Sequence, residues 1–348
     1  MEVPSIFLNK ILSDSAKKGA SSLHLSVGSA PMARIKGKIT LMEEEGIMQT
    51  DTINQIINSF LEKGELAELE KNRELTTVKV FGSSFRFRVN IFYQKGMPSL
   101  SFNYVTGVIR SLNDYKFPQQ FKELINFDSG LLIVAGSNDS GKTSTAAALI
   151  EEVNKNKKRY IITLEKPIEY LFVNKKSIIE QRQVDKDALS YSLGIEHCLE
   201  EDVDLVYIDE VKKEFKDIIL GVLELAAGNS LVILEMNADN SIWVIEKIIN
   251  MASTKISAEA VRYSLADVLI GIVVQKLIPS VGGGLALAFE TLVSNSATKS
   301  LIREGRIYQL ESIIQTSRGE GMVSMKKSVD DLIRSGEVQA EEGKMLNL

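Results

Sequence analysis

The sequence predicts an α/β protein in two parts. Residues 1–107 read as an N-terminal α+β domain, and 121–348 as a parallel-sheet α/β domain built on a phosphate loop. Three observations predict this. Gly136-Ser137-Asn138-Asp139-Ser140-Gly141-Lys142-Thr143 fits G-x-x-x-x-G-K-[ST] in full. From 121 onward, short apolar runs alternate with helical patterns at βα spacing. Before about residue 108 the runs are hairpin-like and accompany two helical stretches. The length of 348 residues has room for about two domains, at roughly 150 residues each.

In the first part, 5–18 carries apolar residues at helical spacing through Ile6, Leu8, Ile11, Leu12 and Ala16. Ser22-Leu23-His24-Leu25-Ser26 alternates like a strand. The stretch 33–40 is a strand candidate with Gly37 at its turn. Helical spacing returns over 52–69. Strands follow over 78–81, 84–92 and 100–105, with Gly82-Ser83 and Lys95-Gly96 as turns. The polar stretch 108–120, interrupted by Pro118, reads as a linker.

The second part offers buried-strand candidates at 131–135, 159–164, 205–208 and 231–234. Gly282-Gly283-Gly284 marks a turn between two further strands. The tail from Ser317 is helical and polar, ending in charge.

The strand–glycine loop–helix context gives the motif its chemistry. Leu131-Leu132-Ile133-Val134-Ala135 precedes the loop, and Ser144 and the helix-forming Thr145-Ala146-Ala147-Ala148-Leu149-Ile150 follow it. Loop and helix N-terminal N–H groups cradle polyphosphate oxygens. Lys142 is expected to reach the β- and γ-phosphates of ATP, and the Thr143 hydroxyl to hold Mg²⁺. Asp202-Val203-Asp204-Leu205-Val206-Tyr207-Ile208-Asp209-Glu210 reads as a Walker B strand ending in two carboxylates. Glu210 is the candidate for orienting water, and Asp209 for the metal region, acting through water.

Composition narrows the rest. A net charge of −5 and a pI near 5.4 argue against nucleic acid as a partner. The single cysteine, Cys198, excludes an intrachain disulfide, and with two histidines in the chain zinc is not expected. No basic-then-apolar segment follows Met1, so no signal peptide is expected. The run Val268-Leu269-Ile270-Gly271-Ile272-Val273-Val274 is too short to span a bilayer. The expectation is a cytoplasmic protein reaching membrane only through a partner. His24 and His197 read as structural, and Lys155-Asn156-Lys157-Lys158-Arg159 as a solvated basic turn.

These motifs in order resemble the type II secretion and type IV pilus motor ATPase family, nearest its pilus-retraction (PilT-like) branch, over nearly the whole chain. Gly19-Ala20-Ser21-Ser22-Leu23-His24-Leu25-Ser26 with Pro31-Met32-Ala33-Arg34-Ile35-Lys36-Gly37 resembles the family's N-terminal signature. Phe85-Arg86-Phe87-Arg88-Val89-Asn90 resembles its arginine-bearing strand. Thr163-Leu164-Glu165-Lys166-Pro167-Ile168-Glu169-Tyr170 resembles its acidic "Asp box". Ser300-Leu301-Ile302-Arg303-Glu304 and Ser312-Ile313-Ile314-Gln315-Thr316 resemble its retraction motif. The resemblance implies a PAS-like N-terminal domain and a RecA-like P-loop domain with C-terminal helices. It implies six subunits in a ring at the cytoplasmic face of the inner membrane, acting on a membrane platform protein. It also implies catalytic roles for Glu165, Arg86 and Arg88.

Four departures from the family pattern bear on turnover. Asp139 replaces a loop glycine, and its charge opposes phosphate. Lys166 replaces the Asp-box acid, and a pairing with Asp139 is one compensation. Asn237 stands nearest the place of the family histidine and cannot take a proton at neutral pH. Asn103, Glu200 and Lys212 stand where arginines are expected. Arginine fingers contribute of order 10³–10⁵ in phosphoryl transfer. Two readings follow: a retraction motor with weakened ATP hydrolysis, or a catalytically weak paralogue that regulates or joins a full-pattern ring. A nucleotide-free adaptor is a third.

Overall fold

The structure is a computed structural model that describes residues 4–35, 38–82 and 85–344. The expected turn residues Gly37 and Ser83, with Lys36 and Ser84 beside them, lie outside the described residues. The chain divides into two compact units. The first is Met1–Val108 with Glu169–Leu171 and Gly283–Leu285, and the second is the remainder.

The first unit contains α1 (Pro4–Lys17), β1 (Ala20–Ser26), β2 (Met32–Ile35), β3 (Lys38–Leu41), α2 (Thr50–Phe60), α3 (Lys63–Asn72), β4 (Glu74–Phe81), β5 (Phe85–Gln94) and β6 (Met97–Val105). Its sheet runs β3-β2-β1-β6-β5-β4, with antiparallel pairs throughout. Alternation along β5 sends Phe87, Val89 and Ile91 into the core with Leu8, Leu12, Ile53 and Ile56 of the helices. Arg86 and Arg88 therefore share the opposite face of that strand. The helical pattern expected over 52–69 is two helices, because Glu62 and Glu65 form a capping box that starts α3 afresh. The candidate over 33–40 is likewise two strands.

The second unit contains α4 (Gln119–Lys122), β7 (Gly130–Gly136), α5 (Lys142–Asn156), β8 (Tyr160–Glu165), β9 (Ile178–Gln183), α6 (Tyr191–Glu200), β10 (Leu205–Ile208), α7 (Phe215–Ala227), β11 (Leu231–Met236), α8 (Ser241–Ala252), α9 (Ala258–Val268), β12 (Leu269–Pro279), β13 (Leu285–Val293), α10 (Ser296–Arg303), α11 (Leu310–Thr316), α12 (Met325–Arg334) and α13 (Ala340–Lys344). The sheet order is β13-β12-β7-β11-β10-β8-β9, parallel from β12 to β9. Along β7, Leu131, Ile133 and Ala135 enter one apolar layer, and Leu132 and Val134 the other. The strand is thus buried on both faces, as its unbroken apolar run requires.

Leu112, Tyr115 and Phe117, from the stretch read as a linker, are buried in the second layer, with the Tyr115 and Phe117 rings stacked at 5.4 Å. Sequence reading passed over β9. It is an edge strand in which only Ile178 and Ile179 are apolar and no residue is buried, so it lacks the longer apolar run that marks its neighbours.

Candidate functional site

β7 leads into the phosphate-loop motif and α5 leaves it. Gly136 has φ +152° and Gly141 φ +89°, conformations that favour glycine. A Cβ on Gly136 would lie 2.3 Å from Ser140 Oγ and 2.6 Å from Gln275 O, so the position has no room for a side chain. Asp139 takes φ +59°, in the left-handed region that Asp tolerates better than most residues. Ser140 N donates to Ser137 O at 3.3 Å and tightens the loop. The opening N–H groups of α5 have no intrahelical acceptor and carry the positive end of its dipole.

Lys142 opens α5 and is buried. Its Nζ donates to Gly136 O at 3.1 Å and Ser137 O at 2.8 Å, and lies 3.1 Å from Glu210 Oε2. Thr143 Oγ1 donates to Glu235 Oε2 at 3.2 Å, and Tyr207 OH donates to Glu235 Oε1 at 2.6 Å. Glu235 is 2% exposed. It sits on β11, the strand beside β7, opposite Val134. Burial pushes the Tyr207 phenol well above its ordinary pKa, and the charges of Glu235, Glu165 and Asp209 add to this. Tyr207 therefore stays a donor.

Glu165 ends β8, buried, and accepts from Thr163 Oγ1 at 2.6 Å and Gln181 Nε2 at 3.1 Å. Asp209 follows β10. Its Oδ2 accepts the Lys166 N–H at 2.6 Å, and its Oδ1 accepts the Tyr191 hydroxyl. Burial and then the Asp209 charge push the Tyr191 phenol upward. Asn237 Nδ2 donates to Asn138 Oδ1 at 3.3 Å and tethers the loop to the end of β11. A cavity of about 370 Å³ at the ends of β10 and β11 is lined by Glu210, Lys212, Lys216, Glu235, Asn237 and Lys247.

The pairing of Lys166 with Asp139 is corrected by the structure: Lys166 forms its ion pair with Asp185. Lys166 follows β8, three strands from β7, or roughly 14 Å at the usual strand spacing. Asp185 follows β9, directly beside β8. In the first unit, Arg88 Nη1 lies 2.8 Å from Glu169 Oε1, and Arg86 stands two residues before it on β5.

Sequence reasoning missed Glu235, Tyr207 and Gln181. The signal for Glu235 was present: it is the one charge inside the apolar run 231–236. Tyr207 lay inside the quoted Walker B segment, but nothing in the sequence indicates that its hydroxyl meets a carboxylate from another strand.

The residues present fit a magnesium-bound nucleotide phosphate. The loop geometry excludes a side chain at Gly136, and Ser140 Oγ is buried with no hydrogen-bond partner among the described residues. Lys142 and Thr143 adjoin carboxylates. Fold and site together define a P-loop nucleotide-binding protein of the α/β, RecA-like kind. The chain belongs to the family described as "Type II/IV secretion system protein", whose model matches residues 3–339. It is 28% identical over 337 residues to the type IV pilus retractation ATPase PilT of Pseudomonas aeruginosa, covering 97% of each chain. It is 29% identical over 315 residues to a twitching motility protein of Neisseria gonorrhoeae, covering 89% of this chain and 82% of that one. The solved structure of the pilus retraction motor PilT with bound ADP superposes with a TM-score of 0.81 at 30% identity, covering 97% and 96%.

Proposed function

We propose that this chain is an ATP-binding motor subunit of a type IV pilus or related secretion system, of the retraction branch, with weakened ATP hydrolysis. The observation that carries the reading is the Lys142 ammonium, buried under a positive-φ glycine loop and 3.1 Å from Glu210. Similarity to a retraction ATPase over 97% of the chain supports the assignment to a pilus motor.

In this reading, Gly136 to Ser144 wrap the phosphates and Lys142 meets the β- and γ-oxygens. Thr143 Oγ1 would hold Mg²⁺, and Asp209 is the carboxylate that the sequence motif offers to the metal through water. Bound Mg²⁺ supplies charge neutralisation at the phosphates. Glu210 would orient the attacking water and Glu165 would support the charge balance, with Arg86 and Arg88 the candidate arginines for developing negative charge. The working form is a homo-hexamer at the cytoplasmic face of the inner membrane, acting on a pilus platform protein. Neither nucleic acid nor direct membrane insertion is part of the function. Among the described residues, no helix is long and apolar enough to cross a membrane.

A second reading, a catalytically weak subunit that regulates or joins a full-pattern ring, is favoured by two observations. Lys166 is neutralised by Asp185 rather than facing phosphate, and Asn237 is engaged with Asn138. In this reading the chain would bind nucleotide while lacking groups that act on the transition state.

Steady-state Mg-ATP binding and hydrolysis on the purified protein, with Lys142→Ala as control, test the proposal. Turnover that disappears in Lys142→Ala supports the motor. Binding without turnover supports the regulatory subunit. Absence of both overturns the two readings.

A further inference from the structure

We propose that Glu235, rather than Asp209, is the carboxylate that positions Mg²⁺ at the phosphate loop. The inference rests on the nucleotide-binding reading above.

Strand order places β11, which carries Glu235, directly beside the strand that leads into the loop. The loop leaves β7. β11 is hydrogen-bonded directly to β7, whereas β10, which leads to Asp209, lies one strand further out. One strand spacing is about 4.8 Å, close to the full reach of a carboxylate side chain. Glu235 bridges that distance: its Oε2 already holds the Thr143 hydroxyl at 3.2 Å. Because Thr143 spends its proton on Glu235, the lone pairs of Oγ1 remain directed elsewhere, as a cation ligand requires.

Asp209 is committed differently. Its two carboxylate oxygens accept the Tyr191 hydroxyl and the Lys166 N–H, which fasten the end of β10 to α6 and to the end of β8. These bonds tie Asp209 to α6 and to β8 at the carboxyl ends of the strands.

Glu235 is also fixed on its inner side by a second hydrogen bond. Burial of a carboxylate is costly unless it is hydrogen-bonded. Tyr207 OH donates to Oε1 at 2.6 Å. Oε2 holds Thr143 and is the oxygen that would meet a water on the metal. Among the described residues no three ligating side chains are grouped to hold a metal by themselves. That matches the habit of Mg²⁺ to use one or two protein oxygens plus phosphate and water. Glu235 is thus a positioning residue, acting through Thr143 and metal-bound water.

The test is calorimetric binding of ADP to the full chain, with Mg²⁺ and with excess EDTA. The wild type should bind ADP more tightly with Mg²⁺. In Glu235→Gln, which keeps side-chain volume, EDTA-condition affinity should be retained and the Mg²⁺-dependent gain should fall about tenfold or more, the usual cost of removing an outer-sphere partner. Thr143→Val should lose the same gain, and adding Glu235→Gln to it should cost little more, because both act on one ligand. An equal loss with and without Mg²⁺ would mean that Glu235 only supports the fold, and would overturn the inference. A gain kept in Glu235→Gln but lost in Asp209→Asn would return the metal to Asp209. No ADP binding by the wild type under either condition would instead remove the nucleotide reading on which this inference stands.

Discussion

Lys142 Nζ and Glu210 Oε2 lie 3.1 Å apart, with Lys142 5% and Glu210 20% exposed at their side chains. The pair joins the phosphate loop to the end of β10. Removing the carboxylate leaves Lys142 two carbonyl partners, Gly136 O and Ser137 O, so the loop keeps its shape. Glu210→Gln should therefore bind nucleotide while losing turnover by about 10²–10⁴-fold, the range for a lost general base. Parallel measurements of binding and phosphate release check this. Unchanged turnover would remove Glu210 from the chemistry.

Gly136→Ala should be among the costliest single changes in the second unit. The added Cβ meets the carbonyl of Gln275 at 2.6 Å, and this is β12 backbone that cannot swing aside. The left-handed φ adds strain of about 1–3 kcal/mol. A fall in the denaturation midpoint together with lost nucleotide binding is expected. A stable, binding variant would show that the loop tolerates another path.

The Lys166–Asp185 pair should contribute little to stability. Each side chain is 49% exposed, and exposed pairs typically contribute about 0–1 kcal/mol. Lys166→Ala should shift the denaturation midpoint only slightly. It also leaves the Lys166 N–H to Asp209 bond in place, since that bond uses backbone. A loss above about 2 kcal/mol would mark the pair as part of a larger network.

Glu65 should make the first unit acid-sensitive. Burial raises its carboxyl pKa, but bonds from Lys79, the Glu62 N–H and Thr77 outweigh burial, and the net direction is down from 4.5. A depressed folded-state pKa contributes stability above the unfolded value, and that stability is lost as pH falls through the folded one. The loss should begin below about pH 4.5. Glu65→Gln should remove that part of the pH dependence and cost about 1.5–3 kcal/mol at neutral pH, as for hydrogen bonds to a charge. Unfolding curves of both proteins between neutral and acid pH decide it.

Cys198 should report unfolding. It is 1% exposed on α6, and burial pushes its thiol up to about 11. At pH 8 the thiolate fraction in the folded protein is then about one in a thousand, against roughly a quarter for a free thiol. Labelling by a thiol reagent should be slow in the folded protein and fast in denaturant. Prompt labelling of the native protein would contradict the burial.

Where sequence reading succeeded, the information was local. The loop motif, its flanking strand and helix, and the carboxylates ending 202–210 lie within short windows whose backbone demands specific residues. Apolar spacing persists across Leu61-Glu62, so 52–69 reads as one helical stretch, while the Glu62–Glu65 capping box divides it in two. β9 escaped because an edge strand needs no apolar run.

The class of protein, a P-loop α/β chain with an α+β domain before it, is legible along the chain, since glycine placement, apolar periodicity and motif order are properties read along its length. Which polar side chains meet depends on the folded arrangement of the strands. Glu235 reaches Thr143 across 92 residues of sequence, and Lys166 turns to Asp185 rather than Asp139. Strand order sets those encounters, because an ion pair or a hydrogen bond needs atoms within a few ångströms, and sequence separation carries no such distance.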